Sequence, residues 1–400
     1  MDLSMVIGSK ELIRDINNNL VLETIIHKSP ISRASLSKEL GLTKATISTI
    51  VQDLIDRKLI IEIGSDNTEL GRKPILLTFN KHAGLALCID IQVDSCTAVL
   101  SNLQAETLNS DTFDSPADPK DLPDVLCSYV RNILYHLPNT VYGLVGITLS
   151  IHGVTYEKTI KFVPYYNLAG IDLSKQLEEQ FHIPVYIENE ANLSAIGENS
   201  FVYDHADLAS VSVHTGIGLG LIMGNRLVKG YRGYTGEVGH TIVNIDGRPC
   251  PCGNNGCLEQ YVSQKVLLKE FAETKGLDYI SFDDFLTYYR NDDADAKAVI
   301  DLFIKYMSVG LNNILNSFNP EIVVINSNFT SKLPELTDYI IEGLSSKMNN
   351  YGSVKASSLE GKASMLGGLC VAIRNFLGIT FLRLQRVSSV HVKSETVQSE

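Results

Sequence analysis

The sequence predicts an α/β protein with a small helical head on a larger body of two similar lobes, and three observations carry that prediction. Residues 1–80 hold two short helix patterns around a glycine turn, followed by a hairpin pattern. Residues 81–200 and 201–400 each mix apolar strand runs with amphipathic helix runs. A chain of 400 residues is too long for a single core, and with 44% hydrophobic side chains it is apolar enough for several. A helix near 360–378 is expected to come back onto the first lobe.

The head begins with residues 12–27, where Leu12, Ile16, Leu20, Ile25 and Ile26 recur at helical spacing until Pro30 stops the helix. Ser32 is placed to cap a second helix whose buried stripe is Ala34, Leu36 and Leu40, and Gly41 ends it. A third helix, from about Thr43 to Arg57, turns Ile47, Ile50, Val51 and Leu54 inward. Its other face offers Lys44, Thr46, Ser48, Thr49 and Gln52, short polar groups of the kind that reach base edges and phosphates in a major groove. Leu59–Ile63 and Ile75–Phe79 read as strands joined by SDNTELGRKP, so the hairpin resembles a wing with Arg72 and Lys73 near the sugar-phosphate backbone. The head therefore reads as a winged helix-turn-helix. Its candidate DNA contacts are Ser32, Arg33, Thr43, Lys44, Thr46, Ser48, Thr49, Gln52, Arg72 and Lys73.

A net charge of −12 ordinarily argues against nucleic acid, but it is unevenly placed. In residues 1–80, ten basic and ten acidic side chains cancel, so the whole excess lies in the body. A neutral head can still hold DNA, because phosphate attraction acts locally. No run approaches a bilayer span, and residues 1–20 lack the apolar core of a secretory signal, so a cytoplasmic location is expected. Cys88, Cys96, Cys127 and Cys370 lie mostly in apolar stretches and are expected as buried thiols rather than a disulfide framework.

In the body, Leu85–Ile91 and Thr97–Ser101 read as strands, Asp121–Leu137 as a helix, and Gly143–Ile151 and Ile183–Ile187 as further strands. The last of these runs into ENEANLSAIGE, a helix whose first turn is rich in carboxylates and amides, and such strand-to-helix junctions are where α/β folds place ligand groups. A second set follows with Ala209–His214, Gly218–Met223, helical stretches to about 345, and Glu321–Ile325. Strands bounded by Asp/Gly turns in both halves hint at a duplicated lobe with a cleft between. Carboxylates and amides suit vicinal hydroxyls, which both donate and accept, and Asn167, Asn189, Glu190, Glu237, His240 and Glu259 gather around the glycine turns.

Within GHTIVNIDGRPCPCGNNGCLE, His240, Cys250, Cys252 and Cys257 are separated by nine, one and four residues. Imidazole and thiolates in that layout suit a closed tetrahedral Zn2+ site, and Gly247, Pro249, Gly253 and Gly256 let the chain wrap an ion. Spacing leaves open whether the centre does chemistry, holds a loop or shapes a pocket.

The stretch GYTGEVGHTIVNIDGRPCPCGNNGCLE, with VSVHTGIGLGLIMGNRLVKG before it, resembles the ROK family of repressors and sugar kinases on the actin-like, hexokinase-like fold. The resemblance runs from roughly residue 10 to 380, and the head with GRKP is similar to the repressor branch. It implies that the zinc is structural, with His240, Cys250, Cys252 and Cys257 as ligands. It also implies that Asn189, Glu190, Glu237, His240 and Glu259 line a sugar pocket. Family kinases open the first lobe with a DxGGT phosphate loop and carry Asp in an END-type motif. Here the matching text is Asp90-Ile91-Gln92-Val93-Asp94 and Glu188-Asn189-Glu190, and EIVVI runs into Asn326-Ser327-Asn328 without the glycine-rich loop. Gly216, Gly218 and Gly220 are kept, while His214 stands at a position usually glycine.

Without a phosphate cradle, much of the machinery of phosphoryl transfer is missing, so no catalytic residue is assigned and a sugar sensor is expected. Ser29–Arg33, Tyr186–Asn192 and residues 313–320 resemble the xylose-responsive members, and Glu190 reaches one methylene farther than Asp toward the space a hexose hydroxymethyl fills. The expected partners are thus double-stranded operator DNA, an aldose inducer, most plainly D-xylose, and further copies of the chain in a homodimer or higher even oligomer, because two-fold operators call for paired recognition helices. Two alternatives remain: an active sugar kinase with a DNA-binding appendage, and a regulator governed by a protein partner.

Overall fold

The structure is a computed structural model that describes residues 10–65, 74–164, 166–348, 350–380 and 382–384. The head comprises α1 (Lys10–Lys28), β1 (Ile31–Ser32), α2 (Arg33–Leu40), α3 (Lys44–Asp56), β2 (Ile60–Ser65) and β3 (Ile75–Phe79). Ser32 caps α2 by accepting from the Ser35 amide at 3.1 Å, Gly41 closes it in the left-handed region at φ 65°, and Thr43 caps α3 by accepting from the Thr46 amide at 3.1 Å. Two capped ends around one glycine fix the angle between the helices. The strands pair antiparallel in the order β1-β3-β2. Arg72, Lys73 and the rest of residues 66–73 between β2 and β3 lie outside the described residues, as do residues 385–400.

One expectation for the head needs correction: of the buried stripe expected on α2 only Leu36 is fully buried, Leu40 is partly buried and Ala34 is exposed. On α1, Leu12, Ile16 and Leu20 are 44, 56 and 40% exposed, whereas Val21, Leu22, Ile25 and Ile26 are buried. A helix of 19 residues spans about 28 Å, longer than the small core it serves, so only its C-terminal half finds partners.

The first lobe contains β4 (Leu85–Ile91), β5 (Ser95–Asn102), β6 (Thr107–Asp114), α4 (Leu122–His136), β7 (Leu144–Ile151), the hairpin β8 (Val154–Tyr156) and β9 (Thr159–Phe162), α5 (Leu173–Phe181), β10 (Val185–Asn189) and α6 (Glu190–Phe201). The second contains β11 (Leu208–Val213), β12 (Ile217–Met223), β13 (Arg226–Leu227), α7 (Glu259–Val262), α8 (Gln264–Lys275), α9 (Phe282–Arg290), α10 (Ala294–Phe318), β14 (Ile322–Ser327), α11 (Asn328–Lys332), α12 (Glu335–Glu342), β15 (Ser353–Ala356) and α13 (Ala363–Leu377). The two five-stranded sheets run β6-β5-β4-β7-β10 and β13-β12-β11-β14-β15. In each, the first three strands are antiparallel neighbours and the last two are parallel to the first. Identical strand order and direction make the lobes a topological duplicate.

Helix α13 comes back onto the first sheet, where Thr148 donates to the Gly368 carbonyl at 2.7 Å. The head's core is continuous with this helix: Val21, Ile25 and Leu77 join Leu369, Ile373 and Leu384 in one apolar cluster. Tyr142 donates to the Arg57 carbonyl and Asn19 to the Gly378 carbonyl, each at 2.6 Å, so polar contacts reinforce the seam. Among the described residues only α10 is long and apolar enough to cross a membrane, and it buries Ile300, Phe303, Met307 and Leu311 in the second lobe's core. Cys88, Cys96, Cys127 and Cys370 are buried free thiols.

Candidate functional site

The loop between β13 and α7 folds back on itself through the bridges Ile242 to Cys257 and Pro249 to Asn255. Gly256 sits at φ 75°, and a Cβ there would fall 1.6 Å from the Asn244 carbonyl oxygen, so only glycine permits this crossing. The fold brings His240, Cys250, Cys252 and Cys257 together, with their ligand atoms within 4.8 Å of one another. Cys250 Sγ is 3.7 Å from His240 Nδ1, and Cys252 Sγ is 3.6 Å from Cys257 Sγ. A disulfide needs about 2.05 Å between sulfurs, while thiolates around a tetrahedral ion at about 2.3 Å stand roughly 3.7 Å apart. These four residues therefore form a cluster able to hold a metal ion, with no protein-free corner for a reactive water. Arg248 anchors the loop through Glu270 at 2.8 Å, the Gln260 carbonyl at 2.6 Å and the Tyr261 ring at 4.7 Å.

The loop delivers its carboxylates onto the start of β12. Glu259 is buried and accepts from the Ile217 amide at 3.1 Å, and Glu237 lies near enough to feel both His240 and Glu259. Burial pushes the Glu237 carboxyl above its ordinary value against the pull of the imidazole. On the other side of β12 stands the start of α6. Asn189 caps that helix by accepting from the Asn192 amide at 3.1 Å, and donates to the Gly153 carbonyl at 2.8 Å. Glu190 is buried and accepts from Ser194 and Ser212 at 3.1 and 3.0 Å. The approach of α6 to β12 is what Gly220 allows, since a Cβ there would be 2.1 Å from the Ala191 carbonyl oxygen. Asn167 stays outside this group, exposed, with its side chain accepting from the Ala169 amide at 3.2 Å.

Several polar groups between the lobes were not assigned to the site from the sequence. Ser194, Ser212 and Asn326 form a buried chain with Glu190 that ties the first lobe to the second, with Asn326 donating to Ser194 at 3.0 Å. Lys229 pairs with the buried Glu188, which also accepts from Asn192 at 3.0 Å. The carboxylate of Asp90 receives Ser150 at 2.6 Å, Gln92 at 2.8 Å and His152 Nε2 at 3.0 Å. Burial would raise Asp90, but the charge and hydrogen bond of His152 and the two other donors hold it below its ordinary value. Burial pulls His214 down, against the attraction of Glu190 and with the added repulsion of His152. At the stretch that matches the kinases' phosphate loop, the Asp90 carboxylate is already bonded to Ser150, Gln92 and His152.

The ROK family model matches residues 86–375. The chain belongs to the ROK family. It is 35% identical over 382 residues to the xylose repressor of Bacillus subtilis (strain 168), covering 93% of this chain and 99% of that one. A ROK transcriptional regulator described as a homologue of the E. coli Mlc protein shares the fold with a TM-score of 0.79 at 24% identity, covering 93% of this chain and 99% of the other. A ROK glucokinase from Streptomyces griseus, solved with glucose and AMPPNP, reaches 0.64 at 24% identity and covers 72% of this chain and 99% of its own. The margin between the two coverages is the size of the head. Relatives matched over nearly the whole chain are repressors by name, in keeping with the reading of this ROK protein as a regulator.

In this ROK chain α3 presents Lys44, Ser48, Thr49 and Gln52 on one exposed face opposite its buried stripe. Thr49 also bonds to the Ala45 carbonyl at 3.1 Å, and Gln52 to Asp56 at 2.9 Å. Thr43 and Thr46 hydroxyls meet at 2.8 Å in the helix cap, Arg33 pairs with Glu62 at 2.8 Å, and Ser32 is a buried cap. These four shape the helix pair more directly than they project from it.

Proposed function

We propose that this ROK protein is a sugar-responsive transcriptional repressor, holding operator DNA through a winged helix-turn-helix and releasing it when an aldose, D-xylose above all, enters the cleft. The observation that carries the proposal is a head whose polar α3 face is free while its core is continuous with α13 and the first sheet. Such a head cannot tumble independently, so a change in the body reaches it. In this reading α3 enters the major groove with Lys44, Ser48, Thr49 and Gln52 leading, and Arg72 and Lys73 meet the flanking backbone. Two copies present two such helices to a two-fold site.

Asn189, Glu190, Glu237, His240 and Glu259 bind the sugar hydroxyls, and Asn167 joins them only if its exposed loop folds inward. Glu190 narrows the space beyond the pentose ring, which favours xylose over glucose. His240, Cys250, Cys252 and Cys257 hold Zn2+, which supplies structural cross-linking of the loop, leaving His240 Nε2 for a hydroxyl. The near relation to xylose repressors supports this effector. Sugar closes the lobes and shifts the spacing of paired heads, so DNA and sugar oppose each other through one reciprocal coupling energy.

The test selects the operator from random duplexes and then titrates it by fluorescence anisotropy with xylose, glucose or no sugar. Xylose is expected to weaken operator binding by at least about tenfold, within the usual range of allosteric coupling. Unchanged affinity at saturating xylose overturns the proposal, and a stronger response to glucose overturns the assignment of the sugar.

A further inference from the structure

A cavity of about 550 Å³ opens between α6, the β12–β13 turn and the end of α13, away from the groups described for sugar and metal. Arg226, Arg374 and Arg383 line it, and among the described residues no carboxylate does. Arg383 is answered by Asp204. Neither Arg226 nor Arg374 has an ion-pair partner among the described residues. Arg374 is half-buried in the last turn of α13, and burial pulls its pKa below the ordinary arginine value against the charges of Cys370 and the more distant Glu188. A helix C-terminus favours a cation and could account for Arg374 by itself. It does not account for Arg226, which arrives on the same cavity from β13.

The remaining walls divide by chemistry. Ile196, Ile222 and Leu227 give an apolar floor, and Asn225 adds an amide. The volume lies in the range of small-molecule pockets, so a lone inorganic ion would leave most of it unfilled. Two guanidinium forks match the roughly −1.5 to −2 charge and three oxygens of a phosphate monoester, and the amide and floor suit a small organic body. We propose that this cavity is a second ligand site, taking a small organic phosphate whose phosphate group engages Arg226 and Arg374. Its position gives it leverage: Gly378 lines the cavity and accepts Asn19 of α1, and the charge of Arg383 reaches Glu23 and His27 on the same helix.

The experiment titrates the full chain by calorimetry, at constant ionic strength, with ribose 5-phosphate, glycerol 3-phosphate, inorganic phosphate and citrate. At least one organic phosphate is expected to bind more tightly than inorganic phosphate, and Arg374→Gln and Arg226→Gln should each weaken it by about tenfold or more. Arg226 is exposed, so its variant keeps the test open if the Arg374 variant folds poorly. Xylose should not displace the phosphate ester. The proposal is overturned if neither ester binds, if both variants bind as the parent does, if citrate is preferred, or if xylose competes.

Discussion

Replacing His152 by Gln tests whether the cleft is held by an ion pair of the chain's own making. His152 Nε2 lies 3.0 and 3.1 Å from the two oxygens of Asp90. Burial alone would discharge the imidazole, yet the charge and hydrogen bond of Asp90 outweigh it and push His152 from 6.5 up to about 9. A rise of that size corresponds to about 3 kcal/mol favouring the charged form in the folded state. The imidazole is 32% exposed, and solvent screening brings the expected contribution nearer to about 2 kcal/mol. Because the folded value is raised, this stabilisation is complete below the unfolded value near 6.5 and is lost as the pH climbs through about 9. Urea unfolding of parent and His152→Gln between pH 6 and 10 reads it directly. The parent should lead by about 2 kcal/mol more at pH 6 than at pH 10, and a gap independent of pH would refute the ionised pair.

Three other substitutions probe the metal-cluster loop, the proposed DNA face and the seam between the lobes. Cys257→Ser should lower zinc content, measured by elemental analysis, and weaken sugar binding along with thermal stability, since the metal loop carries Glu237 and Glu259. Lys44→Ala should weaken operator binding similarly across sequences and flatten the plot of log affinity against log salt by about 0.9, because one phosphate fewer is neutralised. Gly220→Ala places a methyl group 2.1 Å from the Ala191 carbonyl and 2.6 Å from the Ala195 methyl. It should cost about 1–3 kcal/mol in unfolding free energy, and a neutral substitution would show that α6 can leave β12 freely.

What could be read from the sequence divides along physical lines. The caps Ser32, Thr43 and Gly41, the stripe of α3 and the strands β4, β7, β11 and β14 are set by local periodicity and fully buried runs, and they stand within two or three residues of where reading placed them. Strand β6 escaped because TLNSDTFD is an edge strand exposed along nearly its whole length, so it carries no apolar alternation. The stripe on α2 misled for the opposite reason, since helical spacing gives the face of a helix but not how far the core reaches along it, and Ala34 lies beyond that core. The metal cluster was legible because four ligands fall within 18 residues, whereas Asp90 and His152 are 62 residues apart and Ser194 and Asn326 are 132 apart. Only the duplicated sheet order brings such distant polar residues face to face.

Helix α6 explains why a ligand in this cleft would be felt by the head. Its first residues, Asn189 as cap and Glu190 as buried acceptor, stand at the mouth of the candidate sugar site. Its side toward the second lobe lies on β12 so closely that Ala191 and Ala195 touch the place a Gly220 side chain would occupy. Its remaining side packs on α13, where Leu193 and Ile196 share a cluster with Leu369, Cys370 and the head's Val21 and Ile25. Packed interiors resist continuous deformation, so a push on the first turn of α6 is relieved by rigid displacement rather than absorbed side chain by side chain. That displacement falls on α13 and through it on α1. On the proposed reading an inducer needs no contact with the α3 face, because α6, at the candidate sugar site, and α13, against which the head packs, are already one packed unit.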